Sequence, residues 1–141
     1  MNDFLAMGSA IYARLGTVQY TYPTQGTVTA TSTLGLHDTL SPQGSAVPYV
    51  IFQLQASVDD YIFGPESFES ADYLVKAVSN RQTALQGQSI YNTAHVNLQD
   101  APLTIAGGYA LRVRRRSRVQ FRDTDSYWHV GGIYRIDLVR T

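Results

Sequence analysis

The stretch that decides the fold is YALRVRRRSRVQFR (109–122), followed by DTDS (123–126) and YWHVGGIYRIDLV (127–139). Two runs of alternating apolar and polar residues flank a short cluster of turn formers, which predicts a long C-terminal β-hairpin. Successive side chains on a strand point to opposite faces. Strict alternation therefore puts Tyr109, Leu111, Val113, Val119 and Phe121 on one face and Arg112, Arg114, Arg116, Arg118 and Arg122 on the other. Arg115 is the exception, since it falls on the apolar side. On the return strand Trp128, Val130, Tyr134, Ile136 and Leu138 form the matching apolar set, while His129, Arg135 and Asp137 point away.

Like charges side by side on a strand face repel, so a row of five arginines costs stability unless something negative answers it. The bland answer is a solvated face neutralised by cross-strand acids such as Asp137. The sharper one is a partner: the acid-rich stretch Asp59, Asp60, Glu66, Glu69 and Asp72, reached within the chain or on an adjoining copy. The chain as a whole is neutral, but its charge is divided. Residues 1–80 carry two basic groups against seven acids and residues 81–141 nine against four, so the parts are −5 and +5.

Outward from the hairpin, Asp3–Arg14 reads as a short amphipathic helix with Asn2 or Asp3 at its start and Gly16 past its end. Val18–Ser32, rich in Thr and Tyr around a Pro-Thr-Gln-Gly turn, reads as an exposed hairpin or a long ordered loop. Residues 40–44 form a turn, and Pro48 opens a strand beginning PYVIFQLQAS. An acidic bend at Gly64-Pro65 leads into a second strand near Ser67–Ser79. From Asn80 onward Ala84, Tyr91, Ala94 and Leu98 recur at helical spacing despite Gly87, which marks the main helix. The order of these elements predicts an α+β fold: one domain over 1–141, a mainly antiparallel sheet, and helices packed on one face.

With 141 residues, 44% of them hydrophobic, the chain can bury one real core, and without cysteine its stability rests on packing. The N-terminal residues lack the basic and long apolar regions of a signal peptide or a membrane span, so no membrane partner is expected. His37, His95 and His129 fit no metal-ligand spacing, no serine sits in a GxSxG elbow, and no Gly-rich phosphate loop occurs. The expectation is a protein that is not an enzyme and takes no cofactor. Ten tyrosines point to core edges and interfaces, with Tyr20, Tyr22 and Tyr61 the candidates for docking loops.

GLHDTLSPQGSAVPYVIFQ (35–53) resembles a signature of the small tail-completion, or tail-terminator, proteins of long-tailed bacteriophages, in which a short strand leads through Pro-Gln-Gly into Pro-Tyr-Val and a core strand. The strand SADYLVKAVS, the helix about RQTALQGQSIYNTAHVNL and the closing hairpin FRDTDSYWHVGGIYRIDL follow in the same order. The likeness covers roughly residues 34–141, and the opening helix fits it too. The Thr/Tyr-rich segment 17–33 is longer than the resemblance leads one to expect, and the arginines are denser. The resemblance implies a virion protein assembled in the host cytoplasm: a ring, usually of six copies, that caps the tail tube, ends its polymerisation and docks on the head connector while viral DNA passes through the lumen. The basic row of one subunit would then meet the acidic stretch of the next. The alternative from the residues alone is a module that grips nucleic acid through the arginine face without sequence specificity. That row carries no interleaved aromatics of the kind a single-strand platform uses.

Overall fold

The computed structural model of the chain describes residues 3–25, 28–39, 45–61, 66–101, 103–105 and 108–140. In chain order these form α1 (Asp3–Leu15), β1 (Tyr20–Gln25), β2 (Val28–Ser32), β3 (Gly35–Asp38), β4 (Tyr49–Tyr61), β5 (Glu66–Ser79), α2 (Leu85–Leu98), β6 (Thr104–Ile105), β7 (Gly108–Arg122) and β8 (Trp128–Arg140). The fold is α+β as the pattern predicts, with β7 and β8 as the long C-terminal hairpin. The turn at 40–44 and the bend at Gly64-Pro65 lie outside the described residues, as do Asn2 and the side chains of 56–61 and 66–69.

Six strands make the main sheet in the order β3-β4-β5-β8-β7-β6, so β8 lies inside it, paired on both sides. Every pairing is antiparallel except β3 with β4, where Leu36 lies opposite Val50 and His37 opposite Ile51. GLHD is too brief for its period to mark that parallel strand, which only the resemblance, with its short strand ahead of Pro-Gln-Gly, leads one to expect.

Alternation along the central strands sorts their side chains. Val50 and Phe52 of β4, Ala71, Tyr73, Val75 and Ala77 of β5, and Val130, Tyr134 and Ile136 of β8 are buried on one face. Met7, Ile11 and Leu15 of α1 and Ile90, Tyr91, Ala94 and Leu98 of α2 pack onto that face in the same core cluster. Each of the large aliphatic side chains among them withdraws apolar surface worth roughly 1.5–3 kcal/mol from water, which is what holds both helices on one side. The opposite face is open and carries a small cluster, Tyr49, Ile51 and Val78, near the strand ends.

The segment Val18–Ser32 holds a hairpin, as expected, exposed along much of β2, where Val28 is 59% exposed, but buried on one side of β1. β1 and β2 pair from Tyr20 with Ser32 to Gln25 with Val28. Tyr20 and Tyr22, at alternate positions, are 2% and 7% exposed within the core cluster, while Thr21 between them is exposed. Gln86 of α2 fastens the hairpin by donating from Nε2 to the Pro23 carbonyl at 3.0 Å. Tyr20 and Tyr22 are thus core residues rather than docking contacts, because a threonine-rich ribbon can bury tyrosine on the single face it turns to a helix. Tyr61 lies at the end of β4, and its side chain is outside the described residues.

Candidate functional site

The arginine row does not stay on one face. In β7 the register slips twice, between Ala110 and Arg112 and between Arg115 and Ser117, each slip being a bulge of one extra residue. A bulge re-aims the side chains beyond it. Before the second bulge Val113 pairs with Ile136 and Arg115 with Tyr134 on the helix side, which leaves Arg112 and Arg114 on the open side opposite Asp137 and Arg135. Beyond it Arg118 pairs with Gly132, Gln120 with Val130 and Arg122 with Trp128, so these three now face the helices. The expectation of five arginines on a common face is corrected to two groups, Arg112, Arg114 and Arg116 against Arg118 and Arg122, with Arg115 joining the second. Phe121 changes sides as well: it is 44% exposed and stacks on His129 with ring centroids 4.6 Å apart.

The first group is answered within the chain. Arg116 reaches Asp72 at 2.7 Å, Arg112 reaches Asp137 at 3.4 Å and Arg114 reaches Asp100 at 3.3 Å. Asp137 also takes Arg135 at 3.2 Å and accepts a hydrogen bond from the Ser70 hydroxyl at 2.8 Å. Of the acid-rich stretch singled out in the sequence, the structure brings Asp72 to the row. Asp59, Asp60, Glu66 and Glu69 lie in the far part of the β4–β5 ribbon, where Asp59 pairs with Glu69 in register. Asp100 was legible neither by period nor by motif. It follows α2 in a left-handed turn at φ 57°, donates its N–H to the Val113 carbonyl at 2.8 Å, and so covers the margin of β7.

Burial pushes the Asp137 carboxyl up, but the hydrogen bonds from Ser70 and Arg135, the Arg135 charge and the bond from Arg112 outweigh it and hold the group below its ordinary value. Asp123, at the hairpin turn, is likewise held down, first by the 2.7 Å hydrogen bond from His129 and then by the Tyr127 and Asp125 amides. A carboxyl depressed on folding adds stability that is present above its unfolded pKa of about 4 and is lost as pH falls through the lower folded value. The melting temperature should therefore hold from pH 7 to about 5 and fall below about pH 4. In thermal scans Asp137→Asn should flatten that acid limb; an unchanged limb would remove Asp137 from the account.

Arg115 and Arg118 of the second group lie beside α2. Arg115 donates to the Tyr91 hydroxyl at 3.2 Å, Tyr91 and Tyr134 share a 2.7 Å hydrogen bond, and Tyr134 meets His95 Nδ1 at 2.7 Å. Burial, then the charges of Arg115 and Arg118, lower the His95 pKa. Burial pushes the Tyr134 phenol far above its usual value, with the Tyr91 hydrogen bond adding to the effect. The chain of bonds ties α2 to β8. Gly132 makes room for it, since a Cβ there would run into the Tyr91 hydroxyl and come within 2.8 Å of Arg115 Cδ.

Beside this network a cavity of about 250 Å³ opens between α2 and β7. Gln88, Asn92, Arg115, Arg118 and Gln120 are among its lining residues, and Gln88 Nε2 donates to Gln120 Oε1 at 2.9 Å across it. Among the described residues no carboxylate pairs with Arg115, Arg118 or Arg122, and no group of three His, Cys, Asp or Glu could hold a metal ion. Arg122 instead lies over the Trp128 ring, 5.9 Å from its centroid. In the alternating pattern Arg115 stands out only as an irregularity, and the uniform charge of Arg-Arg-Arg-Ser-Arg hides the change of phase there.

No family model and no curated protein matches the chain. Among solved structures it is similar to a chain of the virion of a native gene transfer agent particle, with a TM-score of 0.74, 14% identity and 98% of each chain covered. At that identity the likeness is one of fold, and it extends from end to end.

Proposed function

We propose that this protein is a structural component of a phage-like virion, and that within it the protein is a tail-completion subunit: a ring that caps the tail tube and joins it to the head connector. The observation that carries the reading is the fold likeness over 98% of both chains to a chain of a gene transfer agent virion. It is supported by the ordered motifs between residues 34 and 141, and by an arrangement in which polar groups tie elements together and cations gather at a surface. In this reading the protein works at the neck of the particle, the ring is a homohexamer, the tube protein and the connector protein are its neighbours, and DNA passes through the lumen without being read.

The test is assembly without it. Tails grown in a mixture or host lacking this chain should become abnormally long or fail to join heads. Tails of normal, uniform length on complete particles would sink the reading.

A further inference from the structure

We propose that the cavity between α2 and β7 binds a dianionic phosphate group, either inorganic phosphate or the terminal phosphate of a nucleotide, through Arg115 and Arg118. The site goes beyond the ring reading above and stands without it. Three features of the cavity carry the inference. Arg118 is paired with Gly132 in the register, and a Cβ on Gly132 would come within 2.8 Å of Arg115 Cδ, so the two arginines converge over a residue that has no side chain. The side-chain amides of Gln88, Asn92 and Gln120 line the same space and add neutral donors around the two guanidinium groups. Among the described residues no acid lines the cavity, and the α2 sequence LQGQSIYNTAHVNL supplies none.

Two like charges brought together repel unless an anion sits between them. Their joint field is felt at His95, whose pKa both arginines lower. The carboxylates of the chain are engaged elsewhere or out of reach. Asp72, Asp100 and Asp137 answer arginines of the open side, and Asp123 answers His129. Gly131 and Gly132, at the level of the cavity, pair with Lys76 and Val75 of β5, whereas Glu69 is six or seven residues further along that strand, roughly 20 Å away at about 3.3 Å per residue. The number of donors then selects the kind of anion. One guanidinium fork satisfies both oxygens of a carboxylate, whereas a terminal phosphate presents three acceptor oxygens and close to two negative charges. Two forks and three amides match the phosphate. Arg115 gives one N–H to the Tyr91 hydroxyl at 3.2 Å, which orients its guanidinium and leaves other donors for a ligand. Arg118 is exposed and makes no ion pair among the described residues, so its side chain is left to close over the phosphate from the solvent side.

The experiment titrates the full chain with inorganic phosphate, adenosine 5′-monophosphate and acetate at constant ionic strength, and reads binding by calorimetry. Three variants are compared, each confirmed as folded by circular dichroism: Arg118→Ala, Gln120→Glu, and the control Arg114→Ala, which removes the same charge from the open side. The wild type should bind phosphate saturably. Arg118→Ala should weaken that binding about tenfold, and Gln120→Glu, which keeps the acceptor for Gln88 but places an acid in the lining, should weaken it at least as much. Arg114→Ala should stay within about twofold of the wild type, because solvent screens a charge outside the cavity. Adenosine monophosphate that binds no tighter than phosphate identifies the free ion as the source, and tighter binding identifies a nucleotide; either result supports the site. Absence of saturable phosphate binding, equal losses in Arg118→Ala and Arg114→Ala, retained binding in Gln120→Glu, or acetate that binds as tightly as phosphate would each overturn the proposal. So would Arg118-dependent binding of a duplex DNA without terminal phosphates by a chain that ignores inorganic phosphate, since the surface would then track a backbone. Tail length in particles bears on the terminator role alone and leaves these titrations standing.

Discussion

Replacing Gly131 with alanine is expected to lower the melting temperature by about 10 °C, a loss on the order of 3 kcal/mol for a domain of this size. Gly131 stands in β8 opposite Lys76 of the neighbouring strand β5. A Cβ there would collide with the Val75 carbonyl oxygen and lie 2.6 Å from Lys76 Cα, and both are main-chain atoms held by the ladder. Neither can swing away, so β5 and β8 must part and weaken their neighbouring hydrogen bonds. Gly87 is the control. Its added Cβ would first meet the end of the Val130 side chain, at 3.0 Å, and alanine also favours a helix. Gly87→Ala should leave the melting temperature within about 3 °C of wild type. Equal losses at the two glycines would contradict this account.

Truncating Tyr20 to alanine should cost about 4 kcal/mol and release the β1–β2 hairpin from α2. Tyr20 is 2% exposed and among the largest fully buried side chains, so its removal leaves a cavity that the stiff ribbon cannot collapse to fill. Its hydroxyl is a different matter. Burial pushes the phenol pKa up to about 12, and the oxygen has no hydrogen-bond partner among the described residues. Tyr20→Phe should accordingly be neutral or stabilise by up to about 1 kcal/mol, since it removes a buried polar atom without removing the ring. Chemical denaturation of the two variants separates ring from hydroxyl; a Tyr20→Phe chain as weak as Tyr20→Ala would show that the oxygen, not the packing, matters.

These two sites mark where sequence reading stops. The hairpin of β7 and β8, the strands β4 and β5, and both helices were legible because their apolar residues recur at the period of the structure they form. That Asp137 would answer part of the row's charge was legible too, because a cross-strand acid was the simplest answer to it. The division of the arginine row was not. One inserted residue at Arg116 reverses the phase of all that follows, and composition is blind to a bulge when the residues on both sides of it are alike. Tyr20 and Tyr22 were misread for a related reason: a polar ribbon shows no apolar face until a helix is laid against it. The acidic ribbon was recognised as a unit, but only pairing along β5 reveals how far it lies from the cavity.

The place of β8 in the sheet has a consequence for how the chain is made. Strands β4 and β5 leave the ribosome long before β8, and Phe68 must wait for Val139, 71 residues later, before that border of the sheet can close. During synthesis the nascent chain therefore exposes a half-built sheet, and its completion depends on a late insertion at the centre rather than growth at the rim. Translation that stalls within the Asp123 turn would leave two unsealed halves and a substrate for chaperones or proteases.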